Sequence, residues 1–338
     1  MSLHHPTVAI VGATGAVGAE LIGCLERREF PLERLRLLAS ARSAGRKLLF
    51  HGQGIAVEEL NEDSFPGVDI ALFSAGSMVS RRFAPMAVRQ GAVVVDNSSA
   101  FRMEPGVPLV VPEVNPDAVT RHIGIIANPN CVAIVAVMAL WPLHRHVPIR
   151  RVIAATYQAA SGAGAAAMQE LRESTAAYLA GSEYQRRVLA HPYAFNLFSH
   201  DTKVDPVSGY NEEETKVMRE LRKIMDEPEL LVGITCVRVP VLRAHSMALT
   251  VEFEQPVTPD EARAVLAEAP GVRIVDDVAG NRFPMPNEAS GQDEVLVGRI
   301  RADASDPSGR SLALFVAGDQ LLKGAALNAV QIAERLVT

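Results

Sequence analysis

Cys131 is the residue best placed to act as a nucleophile, within the segment 128–132 that reads Asn-Pro-Asn-Cys-Val. The apolar run 123–127 before it is typical of a strand, which Asn and Pro disfavour continuing, and the alanine-rich run 132–140 predicts a helix. A helix N-terminus lowers the pKa of a nearby thiol and so favours the reactive thiolate. The segment therefore predicts a nucleophilic thiol, with a small buried apolar residue as the alternative interpretation.

A glycine-rich turn follows the first predicted strand. Residues 7–11 form a β-branched run, residues 12–18 read Gly-Ala-Thr-Gly-Ala-Val-Gly, and apolar residues recur at helical spacing over 17–25. In this order glycine permits a tight turn, backbone N–H groups can approach a pyrophosphate, and the helix dipole stabilises it. The segment predicts a dinucleotide site rather than a plain tight turn. The predicted contacts are Gly12, Thr14, Gly15, Ala16 and Val17.

The end of the second predicted strand indicates which nicotinamide cofactor binds. No Asp or Glu lies in residues 39–47, which follow the apolar strand 35–38. An NAD enzyme usually places an acid there for the ribose 2′-hydroxyl, whereas Arg42 with the hydroxyls of Ser40 and Ser43 suits a 2′-phosphate. We therefore predict NADP as the cofactor, with a solvated basic loop as the alternative.

The pattern of predicted elements changes partway along the chain. Strands are predicted at 68–73, 92–95 and 107–111. Helix-forming segments such as 81–90 separate them, which is the alternation of a parallel α/β sheet. From about residue 150 the strands lengthen and alternate. One of them places four apolar residues on one side: Met247, Leu249, Val251 and Phe253. We predict an α/β fold with a second, more antiparallel domain.

The composition of the chain limits the classes of protein to which it can belong. The 338 residues suffice for two domains, 48% are hydrophobic and the net charge is −6, without the basic excess that nucleic acid requires. No apolar stretch approaches about 18 residues and residues 1–5 lack signal-peptide features, so we expect a cytoplasmic protein without membrane contact. Cys24, Cys131 and Cys236 show no CxxC spacing, which argues against a disulfide framework or a metal site.

The order of motifs along nearly the whole chain resembles the aspartate-semialdehyde dehydrogenase family. The motifs lie at residues 12–18, 99–103, 111–115, 128–131, 156–158, 161–164, 211–216, 238–245 and 323–326 and at Asn328. The resemblance implies NADPH-dependent reduction of β-aspartyl phosphate to aspartate semialdehyde and phosphate, toward lysine, threonine and methionine. It also implies a Rossmann-type domain at 1–130, completed by a C-terminal helix at 320–338, and an α+β catalytic and dimerisation domain at 131–319. A homodimer or a dimer of dimers is expected.

The resemblance also implies roles in the chemistry. Cys131 would attack the acyl phosphate, expel phosphate and hold a thioester that accepts hydride. His245, at the entrance to the alternating strand, would act as general acid/base, and Gln158 would orient the acyl group. Taken alone, a histidine at a strand end is more often a core or surface residue, and a glutamine there is unremarkable.

The substrate carries a carboxylate, a phosphate and an ammonium group, so its site needs cations and an acid. By resemblance, Arg238 would bind the carboxylate bidentately and Arg102 would hold the phosphate. On a predicted helix, Glu213 would accept the ammonium and Lys216 would hold phosphate. The alternative for these two is a solvated i,i+3 ion pair. Further cofactor contacts implied by the resemblance are Ser161, Gly162 and Asn328.

One departure from the family and two other functions stay open. The family commonly has Ser or Thr directly after the nucleophile, and this chain has Val132, so phosphate binding or turnover could be weaker. N-acetylglutamyl-phosphate reductase shares the Cys/His thioester chemistry, although Glu213 favours a substrate with a free ammonium. The third function is that of a noncatalytic nucleotide-binding relative, against which the retained Cys131 and His245 argue.

Overall fold

The computed structural model describes residues 4–337. Residues 1–3, part of the segment expected to lack signal-peptide features, and residue 338, the end of the predicted final helix, lie outside the described residues. No helix within the described part is both long and apolar enough to cross a membrane.

The described chain forms two compact units, which we call unit 1 and unit 2. Unit 1 runs to Asn130 and resumes at Gly324, and unit 2 runs from Cys131 to Lys323. Unit 2 therefore begins with the candidate nucleophile. The final part of the chain belongs to unit 1, with the return at Gly324 rather than at the predicted position 320.

Strands and helices alternate along most of the described chain. The strands are β1 (Thr7–Val11), β2 (Arg34–Ala39), β3 (Lys47–Phe50), β4 (Gln53–Glu59), β5 (Ile70–Phe73), β6 (Val93–Asp96), β7 (Ile125–Ala127), β8 (Ile149–Gln158), β9 (Phe198–Ser199), β10 (Leu231–Arg238), β11 (His245–Phe253), β12 (Val272–Ile274), β13 (Val295–Ala302) and β14 (Ser311–Gly318). The helices are α1 (Ala16–Arg27), α2 (Ser77–Arg89), α3 (Cys131–His146), α4 (Ala165–Leu179), α5 (Glu212–Met225), α6 (Pro259–Ala267), α7 (Pro286–Ala289) and α8 (Leu327–Glu334).

Unit 1 is built on a sheet in the order β3-β4-β2-β1-β5-β6-β7, parallel except for the β3–β4 hairpin. At its centre, Val8 of β1 lies opposite Leu35 of β2 and Ile70 of β5. Residues 8–11 are fully buried, as expected for a parallel strand covered on both faces. The predicted α/β architecture is confirmed. The strand order reverses at β1, so the carboxyl ends of β1 and β5 form the expected ligand edge.

One predicted strand of unit 1 is wrong. Residues 107–111 form no strand and contribute only an isolated bridge between Leu109 and Ala127. Pro108 has no N–H for a sheet ladder, and the segment makes backbone bonds of 2.9 and 3.1 Å with Ala127. Its apolar side chains are nevertheless buried, which explains why the hydrophobic pattern is that of a strand.

Unit 2 is built on a mixed sheet in the order β12-β13-β14-β11-β8-β10-β9. The pairs β8–β10 and β12–β13 are parallel, and the other neighbours are antiparallel. Helices pack on the sheet, with α3 against β8, β11, β13 and β14, α5 against β10, α6 against β12 and β13, and α7 against β14. The predicted alternation in β11 is confirmed, since four apolar residues are buried: Met247, Leu249, Val251 and Phe253.

Candidate active site

The glycine-rich turn of unit 1 has the geometry of a phosphate cradle. Gly12 has φ +88°, and a Cβ on it would lie 2.5 Å from the carbonyl oxygen of Ser74. Only glycine suits both this backbone angle and this close approach. The N–H groups of Gly12 and Ala13 donate to the Leu38 oxygen at 2.8 and 3.2 Å. These bonds hold the turn at the carboxyl end of β1, beside β2.

The first turn of α1 is suited to an anion. Gly15 precedes the helix and supplies no side-chain cap to its N–H groups. A Cβ on Gly15 would meet only the Gly12 oxygen, at 3.3 Å, so the space beside it is open. Ala16 and Val17 begin the helix, where backbone donors and the helix dipole favour a phosphate. These residues fit the pyrophosphate of a dinucleotide.

The turn that follows β2 carries the residues predicted to select NADP. Ser40 precedes a single 3-10 turn, and Arg42 at the centre of that turn is exposed. Ser43 is buried, and its Oγ accepts a hydrogen bond from Thr14 Oγ1 at 3.3 Å. The turn after β2 is therefore bonded to the glycine-rich turn. An exposed guanidinium next to two hydroxyls has the chemistry to bind a 2′-phosphate.

Replacing Arg42 with Ala is expected to raise KM for NADP by about tenfold or more, because one charge-assisted contact is lost. KM for NAD should change little, since NAD has no 2′-phosphate. Steady-state kinetics with each cofactor measures the difference. Arg34→Ala is the matched control, because it removes an exposed cation from the start of β2. Equal changes for both cofactors would show that Arg42 is only part of a solvated loop.

Hydrogen bonds hold two further predicted site residues of unit 1, the phosphate contact Arg102 and the cofactor contact Asn328. Arg102 is buried and donates from Nε to the Asn128 oxygen at 2.9 Å and from Nη2 to the Asn97 oxygen at 2.7 Å. These bonds orient the guanidinium. Asn328 is fully buried, and its Nδ2 donates to the Val110 oxygen at 2.9 Å and to Asn128 Oδ1 at 2.6 Å. Both amide hydrogens of Asn328 are thus engaged.

Cys131 is the first residue of α3 and is partly exposed, whereas Cys24 and Cys236 are fully buried. Burial raises the pKa of the Cys236 thiol, and the nearby Glu213 carboxylate raises it further, so this thiol stays protonated. At a helix N-terminus, Cys131 has the environment that favours a thiolate. Val132, where the family commonly has a hydroxyl, is fully buried.

His245 is the first residue of β11 and is a buried, neutral imidazole. Its Nδ1 accepts the Ala159 N–H at 3.0 Å, so the proton of the neutral ring lies on Nε2. Nε2 is buried and has no hydrogen-bond partner among residues 4–337. Burial holds the pKa of His245 well below its usual value, and the neighbouring charge of Arg238 and the His200 ring lower it further. A buried donor without a partner costs free energy, so a ligand is expected to supply the acceptor.

Gly162 brings the loop after β8 against two candidate site residues. A Cβ on Gly162 would lie 3.0 Å from His245 Nε2 and 3.2 Å from Arg238 Nη1. The two nitrogen atoms therefore both lie close to the Gly162 backbone and to one another. Ser161 is buried, and its Oγ accepts a hydrogen bond from Gln320 Nε2. The cofactor contacts of Ser161 and Gly162 stay a prediction.

Arg238 ends β10, directly opposite Gln158 of the parallel strand β8. Its Nε lies 3.5 Å from Asp201 Oδ1, and its Nη1 lies 3.5 Å from the Ala159 oxygen. Both contacts are long for hydrogen bonds, although only 6% of the residue is exposed. A buried guanidinium with such weak internal bonds can present a pair of N–H groups to a carboxylate.

Gln158 and Glu213 are joined in the interior of unit 2. Gln158 Oε1 accepts a hydrogen bond from Thr156 Oγ1 at 3.0 Å, and Gln158 Nε2 donates to Glu213 Oε1 at 3.2 Å. Glu213 lies in the first turn of α5, where the helix dipole favours a carboxylate. Lys216 has a third of its side chain exposed, lies 4.0 Å from Glu212 and lines a surface cleft of about 450 Å³. The Glu213 carboxylate is therefore buried, whereas the Lys216 ammonium is partly exposed at the surface.

Sequence patterns missed three residues around Arg238: His200, Asp201 and Tyr193. They lie in the irregular stretch between α4 and α5, where no period or motif marks them. The His200 N–H donates to the Cys236 oxygen at 2.9 Å, next to the short pairing of β9 with β10. Burial lowers the pKa of His200, and burial raises the pKa of Tyr193 to about 12. The pairing of β9 with β10 brings His200 and Asp201 to Arg238, and Tyr193 Oη donates to the oxygen of the neighbouring Val239.

The chain matches two protein-family models. Residues 7–122 match the semialdehyde dehydrogenase NAD-binding domain, and residues 140–323 match the semialdehyde dehydrogenase dimerisation domain. The first match contains the glycine-rich cradle, and the second contains the buried imidazole and the guanidinium of unit 2. Fold and site together define a nicotinamide-dependent semialdehyde dehydrogenase.

Relatives of known name indicate which kind of semialdehyde dehydrogenase the chain is similar to. The aspartate-semialdehyde dehydrogenase of Synechocystis sp. is 53% identical over 98% of this chain and 97% of its own length. That of Aquifex aeolicus is 50% identical over the same shares of the two chains. A crystal structure of aspartate semialdehyde dehydrogenase II from Vibrio cholerae, complexed with ASA, matches with a TM-score of 0.95 and 42% identity over 99% of this chain and 98% of that chain.

The chain belongs to the aspartate-semialdehyde dehydrogenase family. The predicted family, fold class and enzyme class are confirmed. The two other functions, an N-acetylglutamyl-phosphate reductase and a noncatalytic relative, are not favoured, because the relatives named above are aspartate-semialdehyde dehydrogenases that match over nearly their whole length.

Proposed function

We propose that this enzyme reduces β-aspartyl phosphate with NADPH to aspartate semialdehyde and phosphate, through a thioester on Cys131. The observation that carries the proposal is the buried Nε2 donor of His245, which has no partner among the described residues and lies close to Arg238 Nη1 beside Gly162. A neutral imidazole N–H and a guanidinium together suit an acyl group that bears a carboxylate nearby.

The substrate groups match the charges of the candidate site. Arg238 would hold the carboxylate through two parallel hydrogen bonds, and Glu213 would accept the ammonium group. Lys216 and Arg102 would hold the phosphate. Glu213 also argues against an N-acetylated substrate, because an acetylated nitrogen carries no charge to offset the cost of the buried carboxylate.

The reaction proceeds by covalent catalysis at the start of α3. The Cys131 thiolate attacks the acyl carbon, the bond to phosphate breaks and the phosphate leaves with its electron pair, so that a thioester remains. The reduced nicotinamide supplies the hydride. The thiohemiacetal oxygen then carries negative charge, which His245 Nε2–H stabilises, and collapse releases the aldehyde and restores the thiolate. Gln158 would orient the acyl group.

Binding, assembly and location complete the proposal. The cradle that begins at Gly12 would hold the pyrophosphate of NADP, and Arg42 its 2′-phosphate.

The match to a dimerisation domain and the exposed apolar residues Ile153 and Tyr157 of β8 support a homodimer, with a dimer of dimers as the larger assembly. Analytical ultracentrifugation measures this state. We place the protein in the cytoplasm, because the described cysteines form no disulfide, as expected in a reducing compartment.

The phosphorolytic direction provides the direct test. Protein supplied with aspartate semialdehyde, inorganic phosphate and NADP is expected to form NADPH, followed by its absorbance, and omission of phosphate should stop turnover. NAD should be used less well. Faster turnover of N-acetylglutamate semialdehyde, or no NADPH formation with either aldehyde, would contradict the proposal.

Arg238→Lys is expected to lower kcat by up to about a hundredfold, because a small displacement from the attack geometry costs about that much in rate. Lysine keeps the charge but offers a point donor instead of a planar pair, so the acyl carbon is misoriented. Steady-state kinetics with varied aspartate semialdehyde separates kcat from KM. Arg301→Lys, on an exposed residue of β13, is the control. A near wild-type kcat in a folded Arg238→Lys protein would assign Arg238 a structural or steering role.

A further inference from the structure

We propose that Asn128 is a positioning residue for Arg102, an assignment that rests on the proposed phosphate contact of Arg102. The two residues whose carbonyl groups orient the guanidinium, Asn97 and Asn128, each directly follow a strand of unit 1. Strand β6 ends at Asp96 and β7 ends at Ala127, and these two strand ends lie opposite each other in parallel register. Asn97 and Asn128 therefore lie at the same carboxyl edge of the sheet.

Arg102 bridges the two carbonyl groups. Its Nη2 donates to the Asn97 oxygen at 2.7 Å, and its Nε donates to the Asn128 oxygen at 2.9 Å. Because the guanidinium is planar, two hydrogen bonds from different nitrogen atoms fix the orientation of its plane. The spacing of the two carbonyl oxygens therefore sets the direction in which Arg102 can donate to an anion.

The side chain of Asn128 fixes this spacing. Its Nδ2 donates to Asn97 Oδ1 at 2.9 Å, a direct bond between the two residues whose carbonyl groups hold Arg102. The same Nδ2 donates to the Ala325 oxygen at 3.3 Å, and the backbone N–H of Asn128 donates to the Asp96 oxygen at 2.8 Å. Asn128 is 1% exposed, so bulk water does not compete for these bonds.

Three asparagine side chains form one continuous chain of hydrogen bonds. Asn328 Nδ2 donates to Asn128 Oδ1 at 2.6 Å, and at the other end Asn97 Nδ2 donates to the Phe73 oxygen at 2.9 Å. Because a backbone carbonyl group can only accept, the Phe73 oxygen determines which way each amide faces. An amide both donates and accepts, so Asn128 can join both of its neighbours. The chain of amides thus links the ends of β5, β6 and β7 to α8.

The test is steady-state kinetics in the phosphorolytic direction. Arg102→Ala removes the charge-assisted contact itself and is expected to raise KM for phosphate by about 10–100-fold. Asn128→Ala removes the bond to Asn97 and keeps the backbone carbonyl group that accepts from Arg102. It should raise KM for phosphate by about three- to tenfold, because the guanidinium remains but its orientation is loosened. KM for NADP should not change.

A second variant keeps the test open if Asn128→Ala folds poorly. Asn97→Ala removes the acceptor of the same bond from a partly exposed residue and keeps its own carbonyl group for Arg102. It is expected to raise KM for phosphate as well. Asn61→Ala is the control, because it removes an exposed amide whose Oδ1 accepts the Asp63 N–H. Its KM for phosphate should equal that of the wild type.

A double-mutant cycle separates positioning from a general loss of stability. If Asn128 acts through Arg102, adding Asn128→Ala to Arg102→Ala should leave KM for phosphate where Arg102→Ala alone places it. Independent effects that multiply in the double variant would overturn the assignment. So would a fall in kcat of Asn128→Ala with an unchanged KM for phosphate, since the side chain would then support the segment before Cys131 rather than Arg102.

The same variants distinguish a failure of the inference from a failure of the proposed function. A raised KM for phosphate in Arg102→Ala with an unchanged one in Asn128→Ala refutes the inference alone. An unchanged KM in Arg102→Ala refutes the phosphate contact, and the inference with it.

If the wild-type protein shows no turnover of aspartate semialdehyde, the proposed function fails and calorimetric titration of the NADP-loaded protein with inorganic phosphate decides the role of Asn128. Weaker phosphate binding in both Arg102→Ala and Asn128→Ala supports the inference. Equal affinity in wild type and Asn128→Ala overturns it.

Discussion

Cys131→Ala is expected to show no turnover of aspartate semialdehyde while still binding NADPH with wild-type affinity. Without the thiolate no thioester can form, and no other described cysteine can replace it, because Cys24 and Cys236 are fully buried and burial raises the pKa of Cys236. NADPH binding should persist, since the cradle at Gly12 and Gly15 belongs to unit 1 and the thiol to unit 2.

Two measurements separate these effects. NADPH fluorescence titration reports cofactor affinity, and NADPH formation in the phosphorolytic assay reports turnover. Cys24→Ala is the matched control, because it removes a buried thiol from α1 and should leave kcat near wild type. Full activity of Cys131→Ala would refute the covalent mechanism, and lost NADPH binding would show that the substitution disturbs the cofactor site.

His245→Asn is expected to lower kcat by about 10²–10⁴-fold, the usual contribution of a positioned acid or base. The reason lies in the buried Nε2–H, which is placed next to Arg238 Nη1 and which asparagine cannot reproduce. Because burial and then Arg238 hold the pKa of His245 well below 6.5, the acid limb of the rate profile that belongs to this ring should lie below pH 6.5. The Asn variant should lose that limb. An unchanged profile would refute the role.

The same depressed pKa makes folding stability depend on pH. In the unfolded chain His245 takes up a proton near its ordinary pKa of 6.5, whereas the folded protein keeps the ring neutral to a lower pH. The unfolded state therefore binds more protons between these two pKa values, and stability falls as pH drops below about 6.5. Burial lowers the pKa of His200 and His122 too, so they act in the same direction.

Urea unfolding at about pH 7.5 and about pH 5.5 measures this dependence. The wild-type protein should lose more stability between the two conditions than His245→Asn does, because the variant has one neutral buried histidine fewer to protonate on unfolding. An equal loss in both proteins would mean that the His245 pKa does not differ between the folded and unfolded states.

The sequence by itself determined the features that depend on neighbouring residues in the chain. The first strand, the glycine turn and α1 could be predicted because hydrophobic periodicity and the backbone freedom of glycine depend only on residues a few positions apart. The same holds for Cys131 at the start of α3 and for the alternation in β11. The wrong strand at 107–111 shows the limit of this reasoning, since burial alone produced its apolar pattern and Pro108 prevents the ladder.

The tertiary structure decided which distant residues meet. Ala159 reaches His245 across 86 positions, and Gln320 reaches Ser161 across 159. Neither contact has a local signal, because a hydrogen bond between sheet ends depends on strand order and register rather than on sequence spacing. The neutral state of His245 is likewise a tertiary property, since burial and the neighbouring Arg238 lower its pKa only once the chain has folded.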